Sequence, residues 1–270
     1  MTLPFTKMHG AGNDYVYVDC VTNKFHFSEA QLHALARAVS NRHKGIGSDG
    51  LVLIMPSDAA DFRMRMFNAD GSEAEMCGNA SRCVGKYVFE HSLTNKDSLL
   101  LETKAGIKKL FLNTSGNSVE SVTVGMGKVY VEDEIYLPQY DARLQKVNVG
   151  NPHAVWFVTS LDNIDVNLGA QIEVLPCFPE KTNVEFAEVI NPHEIRMRVW
   201  ERGTGETMAC GTGACAVAAA AMNKQFTSDT VLLHLPGGDL RCEIDKQGDI
   251  WLSGPAEEVF NGIYSCNEQE

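Results

Sequence analysis

The chain has few basic residues, no long apolar run and no leader-like start. Lysine and arginine together number 23 against 35 aspartates and glutamates, so the formal net charge is −12. Nucleic acids and anionic membrane surfaces bind clustered Lys and Arg, so neither is an expected partner. A membrane-spanning helix needs about 20 predominantly apolar residues, and no run approaches that length. The opening MTLPF also lacks the charged and apolar regions of a signal peptide. We therefore expect a cytoplasmic protein.

The cysteines follow neither a metal-site pattern nor a disulfide pattern. There are eight, at positions 20, 77, 83, 177, 210, 215, 242 and 266. Structural zinc sites usually contain Cys-x-x-Cys, whereas the spacings from Cys77 to Cys83 and from Cys210 to Cys215 are longer and differ from each other. A chain of this length without a secretion signal is not expected to depend on disulfides. We expect free thiols and no metal.

Two glycine-rich segments match the dinucleotide-binding fingerprint in their letters. The segment GIGSDG (45–50) precedes a strand-like run, whereas the fingerprint should follow a strand and open a helix. The segment GTGACA (211–216) fits a looser form, with Asp229 downstream, but the equivalent segment after Cys77 lacks this pattern. A nicotinamide-dependent dehydrogenase is therefore the weakest alternative, and we expect no cofactor.

The sequence contains an internal duplication. Cys210-Gly211 follows Cys77-Gly78 by 133 residues (210 − 77), and RMRVW (196–200) follows RMRMF (63–67) at the same offset without a gap. Further out, Asn13 precedes YVYV (15–18) as Asn151 precedes AVWFV (154–158). One unit of more than 100 residues thus occurs twice, which predicts two similar lobes. The length of 270 residues is also one at which single cores usually divide.

Strand patterns outnumber helix patterns in both halves. We predict a helix after the capping-box pair Ser28 and Gln31, one that starts at Cys77, a short one near 165–170, and an alanine-rich one over about 213–222. The expected fold is α+β, with two pseudosymmetric lobes, each a barrel-like, mostly antiparallel sheet around a central helix. The predicted lobes are 1–117 and 118–262, joined by a linker at 113–118, with the tail 263–270 returning to the first.

Each Cys-Gly pair lies at the predicted start of a helix. The positive end of the helix dipole favours a thiolate there, and the unpaired backbone N–H groups can bind a carboxylate. If the lobes face each other, two sulfurs would flank one bound carboxylate. This suits removal of a proton from the neighbouring carbon by one sulfur and its return on the opposite face by the other. Cys77 and Cys210 are the candidate acid and base.

Five segments resemble the diaminopimelate epimerase family. They are MHGAGNDYV (8–16), FNADGSEAEMCGNASRC (67–83), VGNPHAV (149–155), TNVEF (182–186) and WERGTGETMACGTGACA (200–216). The resemblance covers nearly the whole chain in the correct order. It implies the two-lobe fold, a homodimer, and cofactor-independent interconversion of LL- and meso-diaminopimelate in lysine and peptidoglycan precursor biosynthesis.

The resemblance also implies roles for individual residues. Cys77 and Cys210 match the acid/base cysteines. The backbone donors for the reacting carboxylate would be Gly78, Asn79, Gly211 and Thr212. The residues that hold the substrate, including its distal amino-acid group, would be Asn13, Asn68, Asn151, Asn183, Glu201 and Arg202. A zwitterionic group needs an acceptor for its ammonium and a cation for its carboxylate, which Glu201 and Arg202 can supply. His153 matches a position that lines the site, and a structural role is an equally open interpretation.

Two departures and two alternatives qualify the resemblance. Ala80-Ser81 follow Cys-Gly-Asn where most relatives have glycine and a small residue, and Gly50 stands where some relatives carry a substrate-contacting Gln. A sister isomerase acting on proline or hydroxyproline would also pair two cysteines, but its ring substrate has no distal group for Arg202 and Glu201. A non-catalytic binding protein would be favoured by loss of one cysteine, and both are present.

Overall fold

The computed structural model describes residues 2–266. In chain order the elements are β1 (Thr2–Gly10), β2 (Asn13–Asp19), α1 (Glu29–Ser40), β3 (Gly50–Met55), β4 (Phe62–Asn68), β5 (Glu73–Ala74), α2 (Gly78–Glu90), β6 (Ser98–Thr103), β7 (Gly106–Ser115) and β8 (Ser118–Lys128). They continue with β9 (Tyr130–Leu137), β10 (Ala142–Asn148), β11 (Pro152–Phe157), α3 (Leu168–Ile172), β12 (Asn183–Asn191), β13 (Glu194–Glu201), β14 (Gly205–Thr207), α4 (Gly211–Asn223), β15 (Thr230–Leu235), β16 (Gly238–Ile244), β17 (Asp249–Gly254) and β18 (Glu257–Ser265).

The chain forms two units with the same strand order. The first runs up to Val124 and resumes from Pro255, and the second is Gly125–Gly254. Neighbouring strands in the first are β18, β1, β2, β3, β4, β6, β7 and β8. Neighbouring strands in the second are β9, β10, β11, β12, β13, β15, β16 and β17. In both units the strands on either side of a helix are parallel and the other pairs are antiparallel. The predicted duplicated α+β fold is confirmed.

The duplication extends to individual side chains. Arg65 Nε donates to Glu73 Oε1 at 2.7 Å on β4 and β5, and Arg198 Nε donates to Glu206 Oε1 at 2.7 Å on β13 and β14. Both partners are displaced by the same offset as the two Cys-Gly pairs. The two ion pairs therefore mark equivalent points of the two units.

Helices α2 and α4 are the central helices of their units. Every residue of α2 from Gly78 to Val88 is buried, and the helix packs against β1, β2 and β7. Helix α4 packs against strands from both edges of its sheet, from β9 to β17. Its alanines favour the helical backbone and are small enough for close approach of the sheet. Burial of the whole helix fixes the position of its first turn.

The predicted start of α1 is confirmed. Ser28 Oγ accepts from the Gln31 backbone N–H at 3.3 Å, and Gln31 Oε1 accepts from the Ser28 N–H at 2.8 Å. Leu32, Leu35 and Val39 then face the core of the first unit. No helix within residues 2–266 is long and apolar enough to cross a membrane.

The polar segment 113–118, predicted as a linker, is instead a hairpin turn. Ser115 at the end of β7 pairs with Ser118 at the start of β8, and Gly116 takes the positive φ of +62° that the turn requires. The chain passes between the units inside β8. It returns at Pro255, earlier than the predicted 263, because β18 pairs with β1 from Glu257 onward. Residues 267–270 of the predicted tail lie outside the described residues.

Candidate active site

Cys77 is the N-cap residue of α2, as predicted. Its backbone is extended, and intrahelical hydrogen bonding begins with the Ser81 N–H to the Cys77 carbonyl at 2.9 Å. The Cys77 thiol donates to Asn13 Oδ1 at 3.4 Å, and Asn79 Nδ2 donates to the same oxygen at 3.4 Å. Three of the predicted site residues of the first unit therefore meet at one amide oxygen.

A carboxylate that the sequence analysis missed orients Asn13. Asn13 Nδ2 donates to Asp49 Oδ2 at 2.8 Å, and Arg42 Nη2 donates to Asp49 Oδ1 at 2.9 Å. Burial, and then the neighbouring Asp14, raise the pKa of Asp49. Asp49 belongs to the GIGSDG segment, which here supports the site asparagine. Because Asp49 holds the Nδ2 end, the oxygen of Asn13 faces Cys77.

Asn68 and Gly50 lie opposite each other on β4 and β3. Asn68 Nδ2 donates to Ser72 Oγ at 3.0 Å, and within the described residues Asn68 makes no hydrogen bond to Asn13 or Cys77. A Cβ atom built on Gly50 would lie 2.0 Å from the Phe67 carbonyl oxygen and 2.9 Å from Tyr15 Cε1. This backbone therefore has no room for the glutamine that some relatives carry at position 50.

Cys210 is the N-cap residue of α4 and is buried, with 6% of its surface exposed. Its sulfur accepts from the Gly213 N–H at 3.4 Å and lies 3.4 Å from Thr212 Oγ1. Intrahelical bonding begins with the Ala214 N–H to the Cys210 carbonyl at 2.9 Å. Both predicted helix-start cysteines are thus confirmed as N-caps.

Burial dominates the acidity of Cys210. It raises the pKa of the thiol well above its usual range, and the nearby Glu201 and Glu185 carboxyls raise it further. The hydrogen bonds from Thr212 and the Gly213 N–H act in the opposite direction but do not compensate. Cys210 is therefore a thiol at neutral pH, because the favourable effect of the helix N-terminus on the thiolate does not outweigh burial.

Glu201, at the end of β13, lies beside Cys210. Its carboxylate accepts from Thr207 Oγ1 at 2.5 Å and is also a hydrogen-bond partner of the Cys210 thiol. Burial raises the pKa of Glu201, and the two hydrogen bonds only partly offset this. The resemblance implies a contact between Glu201 and the distal end of the substrate, whereas the structure places its carboxylate beside the Cys210 sulfur.

Asn151 and His153 connect Cys210 to a fully buried carboxyl group. Asn151 Nδ2 donates to Thr212 Oγ1 at 3.5 Å, Asn151 Oδ1 lies 2.9 Å from His153 Nε2, and His153 Nδ1 lies 2.6 Å from Glu185 Oε1. Burial raises the pKa of Glu185. The sequence analysis missed Glu185, although alternation along β12 places it on the same face as Asn183.

Asn183 and Arg202 lie next to each other at the start of β12 and the end of β13. Asn183 Oδ1 accepts from the Arg202 backbone N–H at 3.0 Å, and Asn183 Nδ2 donates to the Pro152 carbonyl at 2.9 Å. The Arg202 side chain is exposed, with Nη1 donating to the Glu180 carbonyl at 2.9 Å. Within residues 2–266, no carboxylate forms an ion pair with Arg202, so its guanidinium can accept an anionic ligand.

Solved structures identify the class to which this fold belongs. A phenazine biosynthesis protein of the PhzF family from Bacillus anthracis matches with a TM-score of 0.79 and 18% identity, over 98% of this chain and 100% of that one. A hydroxyproline epimerase from Agrobacterium vitis matches with a TM-score of 0.71 and 18% identity, over 97% and 92%. At these identities the likeness shows the fold alone. The chain has the duplicated α+β fold of a class that includes epimerases.

Sequence comparison places the chain within that class. The family model described as Diaminopimelate epimerase matches residues 5–132 and 146–259. The diaminopimelate epimerase of Methanococcus maripaludis strain C6 is 46% identical over 277 residues, covering 96% of this chain and 99% of that protein. The one from Bacteroides thetaiotaomicron is 48% identical over 263 residues, covering 96% and 97%. The chain belongs to the diaminopimelate epimerase family. It is an isomerase, and its family membership supports epimerisation of diaminopimelate.

Proposed function

We propose that the chain interconverts LL- and meso-diaminopimelate by a two-base mechanism, with Cys77 and Cys210 as its acid and base. One observation carries the proposal: each cysteine is the N-cap of the buried central helix of its unit, at equivalent positions of the duplication. Two such groups, one for each face, suit a reaction whose substrate and product differ only in the handedness of one carbon.

The chemistry is a transfer of one proton out and one proton in. A thiolate takes the α-proton and becomes a thiol, while the opposite thiol gives its proton to the other face of the carbanion and becomes a thiolate. Burial raises the pKa of the Cys210 thiol, so we assign Cys210 as the acid and Cys77 as the base in one direction of the reaction, and the roles exchange in the other. No cofactor is required for these steps.

The helix starts provide the charge stabilisation. Backbone N–H groups of Gly78, Asn79, Gly211 and Thr212 precede the first intrahelical N–H donors, Ser81 and Ala214, and we assign them to the carboxylate next to the reacting carbon. Negative charge that spreads onto this carboxylate in the transition state is favoured by fixed donors and helix dipoles.

The distal amino-acid group selects the substrate. We assign Arg202, which has no carboxylate partner within residues 2–266, to the distal carboxylate, because a guanidinium binds carboxylates in a two-pronged geometry. The other polar groups of the substrate, including its distal ammonium, are assigned to the carboxylate of Glu201 and to the amides of four asparagines: Asn13, Asn68, Asn151 and Asn183. His153 lines this side through its contact with Asn151.

The cellular setting is also part of the proposal. We place the enzyme in the cytoplasm, on the route to lysine and peptidoglycan precursors, with a small amino acid as its ligand. We further propose a homodimer, and expect neither nucleic acid nor membrane as partners, consistent with the acidic composition.

Deuterium incorporation into LL-diaminopimelate in heavy water, followed by NMR without added cofactor, tests the function. The wild-type chain should introduce label at one α-carbon and form the meso isomer, and Cys77→Ala and Cys210→Ala should each lose this activity. Cys83→Ala and Cys215→Ala are matched controls, because these cysteines are buried within the same two helices but away from their starts. The controls should retain activity within a few-fold.

Three outcomes would contradict the proposal. Label that appears with proline or hydroxyproline but not with diaminopimelate would assign the sister activity. Retained turnover in either Cys77→Ala or Cys210→Ala would refute the two-base mechanism. Silence of the wild-type chain with every amino acid would leave a binding protein.

A further inference from the structure

Glu173 is a buried carboxylate that no step of the proposed reaction uses. It follows α3 directly, and 5% of its surface is exposed. Its Oε2 accepts from the Trp200 indole N–H at 2.9 Å, and its Oε1 accepts from the Gly203 backbone N–H at 3.0 Å. Lys181 Nζ lies 3.4 Å from Oε1. One carboxylate thus receives donors from both sides of the Glu201-Arg202 dipeptide.

The turn that follows β13 depends on these contacts. The Thr204 N–H bonds to the Glu201 carbonyl at 3.0 Å, and Gly203 has a positive φ of +74°, so residues 201–204 form a tight turn. Behind it, α3 packs so closely that a Cβ on Gly169 would lie 2.3 Å from Trp200 Cβ. Glu173 therefore connects the turn to the end of α3, which packs tightly against Trp200.

The charge on Glu173 suits this role. Burial acts to raise its pKa, but the hydrogen bonds from Trp200, Lys181 and the Gly203 N–H together lower it. The side chain is an ionised acceptor at neutral pH, and hydrogen bonds to a charged acceptor are the stronger kind. A glutamine would present one oxygen and one NH2 group, so one of the present donors would face another donor.

The first unit holds its equivalent turn in a related way. His33 on α1 lies with its Nδ1 2.6 Å from the carbonyl oxygen of Gly71, in the turn that follows Asn68. In the first unit, a side chain of α1 contacts the turn after β4. In the second unit, the side chain that directly follows α3 contacts the turn after β13. In the second unit that turn carries Arg202.

We propose that Glu173 is a positioning residue for Arg202, holding the 201–204 turn so that the guanidinium meets the carboxylate at the far end of the substrate. The inference rests on the proposed function, because it takes Arg202 as the distal binding residue. Glu173 itself touches no reacting atom. Its loss should weaken substrate binding and leave the proton transfers at Cys77 and Cys210 largely unchanged.

The experiment compares kcat and KM of Glu173→Gln with those of the wild-type chain, alone and combined with Arg202→Ala. Glu206→Gln is the matched control, because Glu206 lies at the other end of the same segment and forms an exposed pair with Arg198. We expect Glu173→Gln to raise KM about tenfold with kcat within about threefold, as loss of binding common to ground and transition states requires. Glu206→Gln should keep KM within about twofold, and Glu173→Gln should add little once Arg202 is gone.

Each other result overturns the inference. An unchanged KM in Glu173→Gln, when Arg202→Ala raises it, would show that Glu173 does not position Arg202. Fully additive effects of the two changes, or a fall in kcat without a rise in KM, would show the same. An unchanged KM in Arg202→Ala would refute the distal assignment in the proposed function, and the inference with it.

A second variant keeps the test valid if Glu173→Gln does not fold. Trp200→Phe removes one donor to Glu173 and retains a ring against Gly169. It should raise KM in the same direction by a smaller factor, and increase amide hydrogen exchange at 201–204 in the ligand-free chain. Unchanged KM and unchanged exchange in this variant would refute the inference.

Discussion

The starts of α2 and α4 share a backbone plan but differ in the side chains around Cys77 and Cys210. In the first unit, Tyr15 of β2 pairs with Gly50, and Val52 of β3 pairs with Tyr17. At Cys210, the same register positions are His153 and Glu185. The second unit thus carries an ionisable pair at register positions where the first unit has Tyr15 and Val52.

The asparagines show the same asymmetry. Asn13 directs its oxygen to the Cys77 thiol, because Asp49 holds its Nδ2. Asn151 directs its Nδ2 to Thr212, because its oxygen lies against His153. The two helix-start cysteines therefore have different hydrogen-bonding surroundings, and the proposed two-base reaction would run between unlike thiols.

The largest difference should appear at the third helical residue. A Cβ on Gly213 would lie 2.9 Å from Glu185 Oε1, whereas the twin position carries Ala80, fully buried. Gly213→Ala should destabilise the protein by about 1–3 kcal/mol through overpacking. Ala80→Gly should cost no more than about 1 kcal/mol, the usual effect of glycine in a helix. Urea unfolding of both variants measures this, and equal effects would contradict the role of Glu185 in excluding a side chain.

The two thiols should react at different rates. Cys77 is partly exposed, while Cys210 is buried and has a raised pKa. Since the thiolate is the reactive form, iodoacetamide at neutral pH should modify Cys77 at least about tenfold faster, as measured by peptide mass spectrometry of the ligand-free chain. Exposed Cys177 is an internal reference for the reagent. Equal rates at the two N-caps would refute the acid and base assignment.

Removal of the buried carboxyl group should change only one thiol. Glu185 raises the pKa of Cys210 through its negative charge, so Glu185→Gln should make the thiolate easier to form. We expect the pH midpoint of Cys210 alkylation to fall in this variant, with that of Cys77 unchanged. A midpoint that does not move would indicate that Glu185 carries a proton over the same pH range. Glu206→Gln is the control.

The smallest difference concerns the repeated ion pair. The Arg65 side chain is 15% exposed and also binds Glu29, whereas Arg198 is 36% exposed. Exposed pairs contribute roughly 0.2–1 kcal/mol, so double-mutant cycles in urea should give coupling within this range. The Arg65–Glu73 pair should have the larger value, and a larger value for Arg198–Glu206 would contradict the effect of burial.

Much of the site could be predicted from the residues. The duplication, the two N-cap cysteines and the central helices follow from short-range patterns: a Cys-Gly pair before apolar residues at helical spacing, repeated at one offset. The supporting carboxylates did not follow. Asp49 lies in a segment that looks like a nucleotide motif, and Glu173 comes directly after the short helix α3 without a local signal.

The sequence by itself determined the fold class, the equivalence of Cys77 and Cys210 and the family, because these depend on repeated patterns and on local helix starts. The tertiary structure decided the unit boundaries, since strand pairing such as β18 with β1 joins residues far apart in the chain. It also decided the acidity of Cys210. A pKa depends on burial and on charges brought from β12 and β13, and these distances exist only after the chain has folded.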